Sequence, residues 1–146
     1  ELCKTVDNIV GVKDATGDLS EVAKVLAKAD GCVDLYSGND DQIVPIVALG
    51  GKGVISVLSN ILPQETHDMA MKMMNGDLMT SQQLQLKYLH LINSLFCEVN
   101  PIPVKAAMNL MGMEVGSLRM PLSEMEDANK AVLAEEMRKV GITVSE

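Results

Sequence analysis

Three apolar runs of strand length, NIVGV (8–12), CVDLYSG (32–38) and GVISVLSN (53–60), are each followed at once by a stretch with helical spacing. Strand–helix alternation with short connections means parallel strands covered by helices, because parallel neighbours need a crossover between them. Each run is nearly continuous in apolar residues rather than alternating, as burial on both faces requires. Asp18, with Glu21 three residues on, is a variant of the capping box that satisfies the free N–H groups of a first helical turn. Leu19, Val22, Val25, Leu26 and Ala29 then recur at helical spacing, and Gly31 stops the helix. NDDQIVPIVALGG opens the next helix with acidic residues that suit the helix dipole, and Pro45 falls near its first turn. Pro63 opens a third helix, which runs through the methionines to Asn75–Gly76.

After Gly76 no strand candidate remains. Leu84, Tyr88, Leu91, Ile92 and Leu95 mark one face of a long helix, and NPIPVKAAMNLMG gives another with its prolines confined to the start. Ser123 with Glu126 forms a second capping box, predicting a helix that carries Val132, Met137 and Val140 and ends at Gly141. The fold class is therefore α/β with an all-helical appendage. Three βα units are too few to close a sheet, and two unpaired edges invite association. The chain starts at Glu1, in mid-pattern and without an initiator Met, so it is expected to be the closing portion of a barrel whose opening strands lie elsewhere.

Composition removes several function classes. The net charge is −8, with no basic run and only 2 % aromatics, which argues against nucleic acid and against an anionic membrane surface. No segment approaches the roughly 18 apolar residues of a membrane span, and ELCKTVDN lacks the basic start and apolar centre of a signal peptide. Eleven methionines with so few aromatics predict an aliphatic, thioether-filled core. Cys3, Cys32 and Cys97 are odd in number, widely spaced and outside any C-x-x-C pair. Neither a disulfide framework nor a zinc site is expected, and a reducing cytoplasm fits best. His67 and His90 stand in helical patterns without partners at metal-ligand spacing, and read as structural or surface residues.

Lys13 directly follows the first apolar run. Ligands of parallel α/β proteins bind at the C-terminal ends of strands, and desolvation favours the neutral amine, which can attack a ketone and form a Schiff base. A rim ion pair with Asp14 or Asp18 explains a lysine at this position equally well. YSGND and GVISVLSN place small and polar residues at the other two strand ends, where they suit either a ligand or an ordinary turn. GGKGVIS lacks phosphate-loop spacing and precedes a strand instead of a helix.

Taken together, NIVGVKDATGD, YSGND, GGKGVISVLSN and NPIPVKAA, in this order and spacing, resemble the dihydrodipicolinate synthase branch of the pyruvate-dependent class I aldolases. The resemblance covers essentially the whole chain, and NPIPVK narrows it to that branch. It implies the C-terminal portion of a (β/α)8 barrel, a fold of about 250 residues. Residues 1–76 would be its last three βα units and 77–146 a C-terminal helical domain. It further implies that Lys13 is the Schiff-base lysine for pyruvate, that the Ile55 backbone contacts the pyruvate-derived part, and that Gly38 lines the pocket near the incoming aspartate semialdehyde. No cofactor beyond that covalent link is implied. The expected setting is lysine and diaminopimelate biosynthesis in the cytoplasm, by a homotetramer. Two departures stand out. Tyr36 and Tyr88 are the only tyrosines, and neither matches the family's proton-relay tyrosine, while the early threonine-bearing loop is also missing. The chain by itself is thus expected to be catalytically incomplete. Alternative readings are an N-acetylneuraminate or keto-deoxy-sugar lyase, which NPIPVK opposes, and a non-catalytic fragment or interaction domain of the same fold.

Overall fold

The structure, a computed structural model, describes residues 1–145. In chain order it contains α1 (Leu2–Thr5), β1 (Gly11–Asp14), α2 (Leu19–Ala29), β2 (Asp34–Ser37), α3 (Ile43–Ala48), β3 (Gly53–Val54), α4 (Pro63–Met74), α5 (Leu78–Ser94), α6 (Ile102–Leu110) and α7 (Asp127–Lys139). Short 3-10 turns at Asp40–Gln42 and Leu58–Asn60 precede α3 and α4. The chain divides into two compact units, one of residues 1–56 and 65–85, the other of residues 57–64 and 86–146.

The first unit carries a parallel sheet of order β1-β2-β3. Val12 and Leu35 are register partners, and they pack with Val22 of α2 and Ile46 of α3 in a core joined by Val25 and Leu26. Side chains alternate along a strand, so Lys13 and its partner Tyr36 share the opposite face of the sheet. Of the hydrophobic positions expected of α2, Val22, Val25 and Leu26 form this core and Ala29 is buried, whereas Leu19 is exposed. Its cap also forms: the Asp18 carboxylate accepts from the N–H groups of Ser20 (2.8 Å) and Glu21 (3.4 Å). Asp30, in the left-handed region (φ 52°), ends the helix one residue before Gly31 (φ 77°).

Two strand boundaries differ from expectation. Pairing starts at Gly11, after a first link from Asp34 N–H to Val10 O (2.9 Å), and Ile9 and Val10 lie outside the ladder. Lys13 is consequently a residue within β1 and not one just beyond it. The third run yields only Gly53–Val54 as strand. Ile55 N–H still donates to Ser37 O (2.8 Å), but the strand ends there and a 3-10 turn at Leu58–Asn60 follows, in which Asn60 Nδ2 donates to Val57 O (2.9 Å).

The cysteine expectation is also corrected, since Cys3 and Cys32 form a disulfide across a separation of 29 residues. One βα unit returns the chain beside its own start, so distant cysteines come within bridging range, with Cα atoms 6.1 Å apart. Methionine fills the core only in part. Met69, Met125 and Met137 are buried, whereas Met71, Met74, Met79, Met113 and Met120 are exposed.

In the second unit α6 packs against α7 and against the 3-10 turn at Leu58–Asn60. Leu58, Leu95, Leu133 and Met137 are fully buried there. The Ser123 capping box does not form. Helix α7 starts at Asp127, and its entry is held by Glu98, whose carboxylate accepts from Glu126 N–H (3.1 Å) and Asn129 Nδ2 (2.8 Å). A carboxylate at a helix N-terminus also complements the dipole, and a partner 28 residues away in sequence replaces the local serine.

Candidate active site at the strand ends

Lys13 is exposed on β1, and both acids that might have paired with it are otherwise engaged. The nearly buried Asp14 carboxylate accepts from Thr16 N–H (3.0 Å) and Thr16 Oγ1 (2.7 Å), closing an Asx-type turn. Asp18 caps α2. Among the described residues Lys13 makes no ion pair.

Gly38 lies at the adjoining end of β2, tied to β1 by its N–H, which donates to Asp14 O at 2.6 Å. A Cβ at position 38 would stand 2.8 Å from Lys13 Cε, 2.6 Å from Ala15 Cβ and 2.9 Å from Asp14 O. The lysine stem therefore leans over Gly38, in space that only glycine leaves open. Ile55, at the end of β3, is 51 % exposed. Its N–H is bound to Ser37 O, so its carbonyl and side chain are what it offers to a ligand.

The loops around these residues are fixed from several directions. Ser37, fully buried, donates through Oγ to Asn39 O (2.8 Å) and accepts from Asn39 N–H (3.2 Å). Gln42 Nε2 donates to Gly17 O (2.8 Å), joining the β2–α3 and β1–α2 loops. Gln85 of α5, buried, donates through Nε2 to Asp40 O (2.8 Å) and accepts from Val44 N–H (3.1 Å), so it anchors the segment that begins two residues after Gly38. Apolar spacing alone does not reveal Gln85. The signal lies in its position, since Ser81, Gln85, Tyr88 and Ile92 continue one buried stripe of α5. Gln85→Leu removes both bonds from a buried setting and is expected to cost about 1–3 kcal/mol of stability. Urea denaturation checks this, and an unchanged midpoint would contradict the anchoring role.

Partial desolvation, and then the neighbouring Glu98 carboxylate, push the Cys97 thiol above its ordinary range, which disfavours the thiolate. No three His, Cys, Asp or Glu residues converge at metal-binding distance among the described residues, and among them no helix is long and apolar enough to cross a membrane. In the second unit, a cavity of about 350 Å³ is bordered by α6, α7 and the irregular segment at 116–118. Its Lys105 ammonium already donates to Ser117 O (2.6 Å), and neither Lys13, Gly38 nor Ile55 borders it.

The sequence profile of the Dihydrodipicolinate synthetase family matches residues 1–140. The chain belongs to this family. Its curated relatives include the 4-hydroxy-tetrahydrodipicolinate synthase of Lachnoclostridium phytofermentans, 57 % identical over 141 residues, which are 97 % of this chain and 48 % of the relative. The synthase of Clostridium perfringens (strain SM101) is 56 % identical over 137 residues, covering 94 % and 47 %. Among solved structures, the dihydrodipicolinate synthase of Aquifex aeolicus matches with a TM-score of 0.94 at 32 % identity, covering 99 % of this chain and 50 % of that one. The chloride-inhibited synthase of Acinetobacter baumannii, solved in complex with pyruvate, matches with a TM-score of 0.88 at 36 % identity, covering 92 % and 46 %. The chain thus spans about half the length of these dihydrodipicolinate synthetase relatives. Its open three-stranded parallel sheet and helical extension are a partial (β/α) barrel of that family's kind.

Proposed function

We propose that the full-length protein condenses pyruvate with L-aspartate 4-semialdehyde to 4-hydroxy-tetrahydrodipicolinate, with Lys13 as the Schiff-base amine and no other cofactor. The observation that carries this reading is an exposed lysine on β1, free of ion pairs among the described residues and leaning over Gly38 at the strand ends. It stands in a chain 57 % identical to a synthase of that name. The neutral amine attacks the ketone carbon, and loss of water from the carbinolamine gives an imine. Loss of a methyl proton turns the imine into an enamine, whose carbon adds to the aldehyde. The amino group of the semialdehyde then displaces Lys13 as the ring closes. In this reading Gly38 leaves room beside the amine, and the Ile55 carbonyl faces the pyruvate-derived part, its N–H being occupied.

Residues 1–76 act as the last three βα units of a (β/α)8 barrel and 77–146 as its helical domain. The missing half pairs with the open edges of β1 and β3 and supplies the proton relay, and the 146-residue chain does not turn over without it. The assembly is a homotetramer. A substrate panel on the full-length enzyme tests the assignment. Product is expected from pyruvate with aspartate semialdehyde, and turnover confined to N-acetylmannosamine or a sugar-derived aldehyde would overturn it.

The same reading places the enzyme in the cytoplasm, where disulfides are rare and glutathione keeps thiols reduced. Cys3 and Cys32, disulfide-bonded in the structure, are then expected to be free thiols in the cell. Alkylation in fresh lysate followed by mass mapping should find both modified. Blocked cysteines that become reactive only after reduction would argue for an oxidising compartment.

A further inference from the structure

The face of the sheet that carries Lys13 also carries Tyr36, its register partner on β2. The neighbours of that ring are unusual, because glycine stands on both sides. The ring's Cε2 and Cδ2 lie 3.6 and 3.9 Å from where a Cβ would stand on Gly11, and Cδ1 and Cε1 lie 3.6 and 3.7 Å from the same point on Gly53. One edge of the ring thus rests over β1 and the other over β3, so that a single side chain spans all three strands. Gly11 precedes Lys13 by two residues on the same face, which puts the ring on the N-terminal side of the amine. The lysine stem departs the other way, over Gly38. Neighbouring strands lie only about 4.8 Å apart, so a ring filling the hollow above two glycines leaves the stem no room to fold back down the sheet.

We infer that Tyr36 is a positioning residue for Lys13: its ring, seated on Gly11 and Gly53, is the floor that holds the amine up at the C-terminal mouth of the strands. The inference rests on the proposed role of Lys13 as the Schiff-base amine. The floor is made by the ring, not the hydroxyl, and it acts on the reactivity of the amine and not on the groups that hold the pyruvate carboxylate.

The test measures borohydride trapping of pyruvate on Lys13 in the full-length protein, comparing wild type with Tyr36→Phe, Tyr36→Ala and Gly11→Val, each checked for folding by circular dichroism. Gly11→Val keeps the tyrosine but pushes a branched side chain into the space its ring occupies, so it carries the test if the alanine variant fails to fold. Tyr36→Phe should trap within about twofold of wild type. Tyr36→Ala and Gly11→Val should each trap roughly tenfold more slowly at saturating pyruvate, because a misplaced reacting group loses rate steeply. The pyruvate concentration for half-maximal trapping should stay within about twofold, a split between rate and affinity that general loosening would not produce. Wild-type trapping rates in folded Tyr36→Ala or Gly11→Val would overturn the inference, as would a Phe variant as slow as the Ala variant. If the wild type itself gives no adduct on Lys13, it is the proposed function that fails.

Discussion

Lys13→Arg in the full-length enzyme is expected to lower the condensation rate on the order of 10³-fold or more, with the fold retained. The guanidinium keeps the positive charge and much of the length of the side chain, but it stays protonated at any working pH and cannot supply the lone pair that attacks a ketone. Charge-based roles for the position would survive this change, and nucleophilic ones would not. The melting temperature should change little, because Lys13 makes no ion pair among the described residues for the substitution to break. Steady-state kinetics with a parallel thermal melt measure both quantities. A variant that keeps a tenth of its activity would rule out the amine as reagent.

Gly38→Ala carries the second largest effect, and it acts through space rather than through backbone conformation. The added methyl carbon would stand 2.6 Å from Ala15 Cβ and 2.9 Å from Asp14 O, two groups fixed to the β1–α2 backbone, as well as 2.8 Å from Lys13 Cε. Only the lysine can swing aside cheaply. The β1–α2 loop must also shift, and overpacking of this kind costs typically about 1–3 kcal/mol. Displacing the amine at the same time should reduce the condensation rate by roughly 10²-fold, in line with the sensitivity of catalysis to an error of about 1 Å. The two effects are read separately, by urea denaturation and by kinetics at saturating substrate. Wild-type values in both would mean that the approach of Lys13 to Gly38 does not constrain the site.

Much of this arrangement could be read from local pattern. The Asp18 cap, most of the apolar stripe of α2, the proline that opens α4 and the lack of strand candidates after Gly76 all depend on residues within a few positions of one another. What escaped such reading depends on partners that are distant in sequence. Whether Val10 or Lys13 lies within β1 is decided by where β2 comes alongside, not by the apolarity of NIVGV. Ser123 has the right spacing for a cap, but Glu98 occupies that helix entry instead. Cys3 and Cys32 look unrelated until one βα unit brings the chain back beside its start.

The site divides in the same way. A lysine near a strand end followed by a polar turn is visible in KDATGD, yet the choice between reagent and ion pair depends on where the Asp14 and Asp18 oxygens go. That information lies in hydrogen bonds. Tyr36 is harder still. As a letter it is one more β-former in an apolar run, and its seat between Gly11 and Gly53 exists only once three strands are in register.

The central claim is chemical, that the Lys13 amine forms an imine with a keto acid. Borohydride reduction of the full-length protein in the presence of pyruvate, followed by peptide mass mapping, tests it most directly. A reduced pyruvate adduct on the peptide bearing Lys13, absent when pyruvate is left out, is the expected result. An adduct on any other lysine, or no adduct at all from a folded protein, would contradict it.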